Sequence, residues 1–426
     1  QMNSEHVALI VDGPSLFTIF KHPEMKAKLL RIACFCRVVV ACRVSPKQKQ
    51  LIVDLVQTGL ARRPVTLAIG DGANDVGMIQ EAQIGVGISG HEGRQAVNNS
   101  DFAIAQFKFL KRLLIVHGRW NYRRISKVIV YSFHKNIVLT IILAFWTFNC
   151  ALSGQSLYEA YVYTGFNFFL GVPILLIGFF DQDLSDKVAM ANPGVYSVGR
   201  EKRDMNPMVM AMACLRATVE AVLLYYLCYL CYTGGAAHSY NPAGVWGWTG
   251  RNGEADLYAF GLTVYSAMLF GMLVKVAIMH YTWNWYSVVG MIFSLALYFG
   301  FLFSYGSIRY LSYDFVWVVY HTLSMVPFWL LAVLLPTIIG IVDALLGFAS
   351  ATFFSDHSDL VRFNEHEQQQ NQSEHDTLPE DGVAPATISV TQNPLDRERA
   401  SVRKSDLDML HNTTSEEDQR DMGIVT

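Results

Sequence analysis

The sequence is poor in the features that mark secreted, metal-clustering or nucleic-acid-binding proteins. Its seven cysteines are an odd number without the paired spacing of a zinc site. They are read as reduced packing residues, not as a disulfide framework. Charge is also scarce: 16% of residues are Asp, Glu, Lys or Arg and the formal net charge is -3. That removes the basic excess a nucleic-acid-binding chain needs. The opening QMNSEHVALIVDG has no basic-then-apolar leader, and it is expected to enter a domain part-way through.

What the chain has instead is apolar sequence, 52% of its 426 residues, too much for one soluble domain. It is unevenly spread. The first 127 residues read as α/β, residues 128–347 are dominated by long apolar runs, and residues 348–426 are polar. From Ser350 to Thr426 there are sixteen Asp or Glu against six Lys or Arg. This acidic tail cannot bury enough apolar surface to fold alone and is expected to be disordered.

In the first part, VALIVDG and CRVVVAC predict strands. Ser45 then offers an N-cap and Pro46 suits a first helical turn, after which Leu51, Ile52, Leu55, Val56 and Leu60 recur at helical spacing. VTLAIG, IGVGIS and DFAIA predict further strands, with a short helix over Asn74–Ala82. Alternating strands and helices imply a parallel, doubly wound sheet, which binds ligands at the carboxyl ends of its strands. Asp71 and Asp75 lie at such an end, in TLAIGDGANDVGMI. Two carboxylates supply hard oxygen donors for Mg²⁺, Gly70 and Gly72 admit a phosphate closely, and Lys49 is placed to neutralise a phosphoryl oxygen.

Six apolar stretches can each cross a hydrocarbon core: about 128–150, 160–180, 208–232, 257–279, 284–304 and 316–346. The last is over-long and carries Pro327 and Pro336, so a kink is expected. Basic residues gather at 108–127 and at Lys187, Arg200, Lys202 and Arg203, whereas the loops on the other side carry Arg251 and Arg309. This asymmetry predicts cytosolic termini. Lys135 lies about two turns inside the first run, and is either a functional residue or one that snorkels to the interface. Arg216 and Glu220, four residues apart, are expected to pair as a structural contact.

The residues from CRVSPKQK through LAIGDGANDVGMIQEAQIGVGISG to YSFHKN, with SGQSLYE, GFFDQD and NPGVY beyond, resemble the C-terminal half of a type-IV P-type ATPase, a phospholipid flippase. The resemblance runs from about Ala8 to the last apolar run. It implies a haloacid-dehalogenase-like (Rossmannoid) phosphorylation domain, of which residues 1–107 are a part. A basic connector helix (108–127), an all-α six-span transmembrane domain (128–347) and the acidic tail (348–426) follow. It implies Mg²⁺ at Asp71 and Asp75, and phosphate or ATP contacts from Arg43, Lys49, Asn74 and Asp75. It ties Lys135, Asn136 and Asn167 to lipid transport.

His134 stands where the family has an aromatic, and Asn167 is six residues before Pro173 where the family has seven. The phosphorylation motif DKTGT occurs nowhere in these residues, so the nucleophilic aspartate is expected upstream. The resemblance also implies a two-span glycoprotein accessory subunit, with Gly234–Asp256 as a docking loop. The alternatives are a cation or polyamine pump, a non-enzymatic remnant of such a pump, and a small phosphatase with Asp12 as nucleophile. The last lacks the usual second aspartate, because Pro14 occupies its place.

Overall fold

A computed structural model describes residues 7–61, 63–90, 94–233, 257–308, 315–316, 318–353 and 357–376. The expected docking loop Gly234–Asp256 and the tail beyond residue 376 lie outside the described residues. The chain divides into two compact units, with the break between Lys111 and Arg112.

The first unit begins with β1 (Ala8–Asp12), α1 (Gly13–Lys21), α2 (Pro23–Phe35), β2 (Val38–Cys42) and α3 (Pro46–Gly59). It continues with β3 (Leu67–Gly70), a 3₁₀ turn (Ala73–Asp75), α4 (Val76–Glu81), β4 (Ile84–Ile88), α5 (Gln95–Asn98) and β5 (Phe102–Ile104). All strand pairs are parallel, as the alternation predicts. The expected single sheet is replaced by two: β1 pairs with β2, and β3, β4 and β5 form a separate three-stranded sheet. The first sheet leaves Ile10, Val38 and Val40 exposed, together with Phe17 and Phe35 of its helices. Ala68, Ile79 and Ala96 make the small core of the second.

Ser45 caps α3 as expected, in a capping box with Gln48, and Pro46 takes the first turn. Asp12 caps α1 by accepting from the Ser15 N–H. The Ser15 side chain first, and this N–H second, hold its carboxyl below the usual carboxylate range.

The second unit follows α6 (Leu110–Arg112), and a π-helical stretch (Leu113–Gly118) leads into α7 (Arg119–Asn149). The basic connector and the first apolar run are therefore one continuous helix. Then come α8 (Ala160–Phe169), α9 (Gly171–Phe180), α10 (Asp186–Ala191), α11 (Ser197–Arg200) and α12 (Pro207–Thr233). The remainder is α13 (Leu257–Met279), α14 (Trp285–Ser307), α15 (Val318–Ser324), α16 (Val326–Phe353) and α17 (His357–Asp376). Among the described residues six helical segments are long and apolar enough to cross a membrane, with α8 and α9 together forming the second. In α13, 67% of the apolar window is buried, against 22% to 39% in the others, so α13 is the central helix.

Two expected spans are broken where proline acts. Pro173 has no N–H for the Phe169 carbonyl, and α8 gives way to α9 there. The freed carbonyl instead accepts from the Ser294 hydroxyl of α14, which is how a broken helix survives in an apolar layer. The expected last span separates at Met325, just before Pro327, into α15 and α16, while Pro336 is carried inside α16.

The tail departs from expectation: α16 runs on to Phe353, and α17 is helical over the stretch expected to lack structure. The reason is tertiary. Ser358 and Glu365 of α17 are buried, and Glu365 accepts from the Ser185 N–H at 3.2 Å.

Candidate functional site

In the first unit the ends of β1, β2 and β3 carry the expected phosphate-site residues. Gln48 ties the start of α3 to the start of α1 by donating from Nε2 to the Gly13 carbonyl at 2.7 Å. Arg43 follows β2 in the left-handed region, with φ 51°, and a Cβ at Gly13 would stand 2.5 Å from the Arg43 carbonyl oxygen. Only a glycine allows this approach. Helix α3 is held against α4 by Gln50, whose Nε2 donates to Glu81 at 2.7 Å. Gln57 adds a bond to the Glu81 carbonyl at 2.8 Å.

Seated in this way, Lys49 donates from Nζ to Asp75 Oδ1 at 2.6 Å. Asp75 is buried, and a Cβ on Gly70 would lie 2.2 Å from the Asp75 Cβ. The glycine at the end of β3 therefore makes room for the carboxylate. Asp71 and Asn74 flank it on the same turn, both exposed. Among the described residues the Asp71 carboxylate has no ion-pair or hydrogen-bond partner, and no group of three or more His, Cys, Asp or Glu is close enough to enclose a metal. Mg²⁺ does not require such a cage, since it keeps waters and takes one or two carboxylates beside phosphate oxygens. Asp71 with Asp75 fits that donor set. Arg43 is exposed, and among the described residues the cation paired with this turn is Lys49. Asp12, the alternative nucleophile, spends its carboxylate on capping α1.

In the second unit Lys135 is buried, with its ammonium 5.8 Å from the Phe166 ring centroid. It does not snorkel to an exposed position. Among the described residues it has no hydrogen-bond or ion-pair partner. Asn136 and Asn167 are exposed and are not brought to it.

The expected Arg216–Glu220 pair is corrected. Arg216 is exposed, whereas Glu220 is buried and turned the other way. His134 Nε2 lies 2.6 Å from Glu220 Oε2, and Lys275 Nζ donates to Glu220 Oε1 at 2.5 Å and to Asp343 Oδ2 at 2.6 Å. This cluster joins α7, α12, α13 and α16. Lys275 and Asp343 could have been singled out as isolated charges in apolar runs, but their partners lie 55 and 68 residues apart in sequence.

The basic connector is similarly engaged. Asp183 accepts from Arg119 at 2.5 Å and Arg123 at 3.0 Å, and Asp181 accepts from Lys127 at 2.6 Å. Arg124 donates to the Asp181 carbonyl. The other Asp181 oxygen accepts from the Tyr281 N–H at 2.8 Å, fastening α9 to the α13–α14 turn.

Six apolar helices with a buried charge cluster at their core define a multi-pass membrane protein, and comparison with known sequences says which. The family model described as "Phospholipid-translocating P-type ATPase C-terminal" matches residues 97–356, more than half of the chain. The chain belongs to that family.

It is 35% identical over 351 residues to phospholipid-transporting ATPase IC of Homo sapiens, covering 80% of this chain and 27% of that protein. Phospholipid-transporting ATPase DRS2 of Saccharomyces cerevisiae is 37% identical over 335 residues, 78% of this chain and 24% of that protein. Probable phospholipid-transporting ATPase 5 of Arabidopsis thaliana is 41% identical over 281 residues, 65% of this chain and 22% of that protein. The chain thus spans about a quarter of the length of the curated relatives it matches.

Proposed function

We infer that these residues form part of an ATP-driven phospholipid flippase, which moves lipid from the outer to the cytosolic leaflet through an aspartyl-phosphate. In this reading the first unit is part of a haloacid-dehalogenase-like phosphorylation domain, and sequence beyond these residues supplies the nucleophilic aspartate and covers the exposed apolar surface around β1 and β2. Mg²⁺, when bound, screens the charge of the transferring phosphoryl group. Asp71 and Asp75 would hold it. Lys49 fixes the Asp75 carboxylate and keeps a positive charge beside the phosphate position, while the Asn74 amide lies on the exposed face of the same turn. Arg43 is assigned to the nucleotide side.

Lipid is favoured over a cation by one observation. The apolar helices contain two carboxylates, Glu220 and Asp343, and both are bound to Lys275. A cation pump needs carboxylate oxygens free to replace a hydration shell, and here an ammonium already occupies the place between them. The buried Lys135 supplies a separate cation for an anionic headgroup, while Asn136 and Asn167, exposed and not gathered around it, are assigned to other points of the lipid route. The relatives' printed names agree with this substrate class. The same reading puts both termini in the cytosol and takes a two-span glycoprotein as accessory subunit.

The test is uptake of labelled phospholipid by the full-length protein in proteoliposomes. Lys135→Ala is expected to abolish most uptake while the protein still folds. Unchanged uptake removes Lys135 from the lipid path, and ATPase activity stimulated by a cation but indifferent to lipid overturns the substrate class.

A further inference from the structure

The cluster of His134, Glu220, Lys275 and Asp343 has a charge count that phosphoryl transfer and lipid binding do not use. Its residues are all buried or nearly so, with side chains 3% to 13% exposed. With a neutral imidazole the two carboxylates and one ammonium sum to -1. With an imidazolium they sum to zero. An unbalanced charge away from water is expensive, and one further proton would balance the cluster.

Among the described residues no further cation is ion-paired or hydrogen-bonded to the cluster. On α12, Arg216 is exposed one turn from Glu220. On α7, Lys135 sits over Phe166, Arg119, Arg123 and Lys127 are paired with Asp181, Asp183 and Asp204, and Arg124 is spent on the Asp181 carbonyl. Tyr131, one turn before His134, donates its hydroxyl to the Met272 carbonyl at 3.4 Å. Lys275 and Asp343 are the charged residues of α13 and α16, and α9, packed against α7, has none. On α15, packed against α13, His321 is exposed.

We propose that His134, Glu220, Lys275 and Asp343 form a buried proton-binding site. It takes one proton beyond that of Lys275, carried by the His134 ring, whose Nε2 lies 2.6 Å from Glu220 Oε2. The proton comes from water and adds to the imidazole lone pair, taking the cluster from -1 to zero. The same four side chains bind four helices together, so loading or unloading this proton changes the cohesion of α7, which also bears Lys135.

The experiment follows thermal unfolding of the full-length protein in lipid nanodiscs from about pH 5.5 to 9, a span that covers the charge change of imidazoles as a class. In the wild type the ion pair is complete at acid pH and is lost as pH rises, so the melting temperature should fall toward alkaline pH by several degrees, on the order of 5 °C. His134→Gln cannot take the proton and should lack this step. Glu220→Gln makes the cluster neutral without the proton, so protonation there adds an unbalanced positive charge and the slope should reverse. A merely structural cluster does not reverse its slope.

The proposal is overturned if His134→Gln keeps the wild-type step, or if Glu220→Gln and wild type share one slope. Either comparison decides the matter should the other variant not fold. A coupling of the site to transport rests on the lipid reading and is measured separately, by lipid uptake at pH 6 and 8.5 in wild type and His134→Gln. Absence of uptake at both values would refute the lipid reading and leave the thermal test standing.

Discussion

Replacing Lys275 with methionine keeps the length and apolar stem of the side chain but removes the ammonium that Glu220 and Asp343 share at 2.5 and 2.6 Å. Two carboxylates, 11% and 12% exposed, are then left facing each other. His134 can compensate only one of them. Breaking a buried ion pair by removing one partner costs about 3–5 kcal/mol, because the remaining charge is left without its counter-charge. Ordinary hydrogen bonds between membrane helices average about 0.6 kcal/mol, so the charge effect dominates.

At roughly 2–4 °C per kcal/mol, Lys275→Met should lower the melting temperature by roughly 6–20 °C. Adding Asp343→Asn removes one of the two unbalanced charges and should recover more than half of that loss. The assay is thermal unfolding of the purified full-length protein by tryptophan fluorescence, with expression level as a control. A loss below about 1 kcal/mol for Lys275→Met, the scale of an exposed pair, would refute the reasoning. So would a double variant less stable than the single one.

Other outcomes follow from the first unit. Lys49→Ala leaves Asp75 without its 2.6 Å partner and should slow phosphoenzyme turnover by about 10²–10³-fold, as removal of a charge-stabilising donor does; turnover within a few-fold of wild type would take Lys49 out of the site. Gly70→Ala pushes a methyl to 2.2 Å from the Asp75 Cβ and should cost about 1–3 kcal/mol by overpacking, seen as a lowered unfolding midpoint in denaturant. Asp12 has its carboxyl held low by the α1 cap, so its stabilisation is present above the unfolded value and lost as pH falls through the lower folded one. Asp12→Ala should therefore destabilise the protein at pH 7 and converge with wild type under strong acid, whereas Asp12→Asn, which can still cap, should leave phosphate chemistry intact.

The features legible from sequence are those encoded within a few residues of one another. The Ser45–Gln48 capping box, Pro46 at the head of α3 and the strand-to-turn passage at Gly70–Asp71 are local, and the structure has each of them. The six apolar helices were legible for the same reason, since roughly 20 consecutive apolar residues span a hydrocarbon core whatever surrounds them. Helices α1 and α2 were not anticipated, although Asp12 followed by Pro14 is a local signal of a helix start. The division of the parallel strands between two sheets also escaped the alternation pattern, which fixes strand direction but not which strands are neighbours.

What sequence could not supply was the choice of partner. Local spacing offered Glu220 a partner at Arg216, one helical turn away, yet the fold turns Glu220 inward to residues 86 and 55 positions distant. The helix period says which residues share a face, and only packing says which face is buried. In the same way α17 reads as a polar segment unable to fold alone, and it is ordered where Glu365 finds the Ser185 N–H. The sequence by itself determined the class of protein, the glycine–aspartate turn after β3 and the number of apolar helices, because each is written in a contiguous stretch. Tertiary structure decided that Lys135 is buried with no counter-charge among the described residues, while Lys275 is bound between two carboxylates. That distinction depends on which helices meet, and chains bring such residues together only on folding.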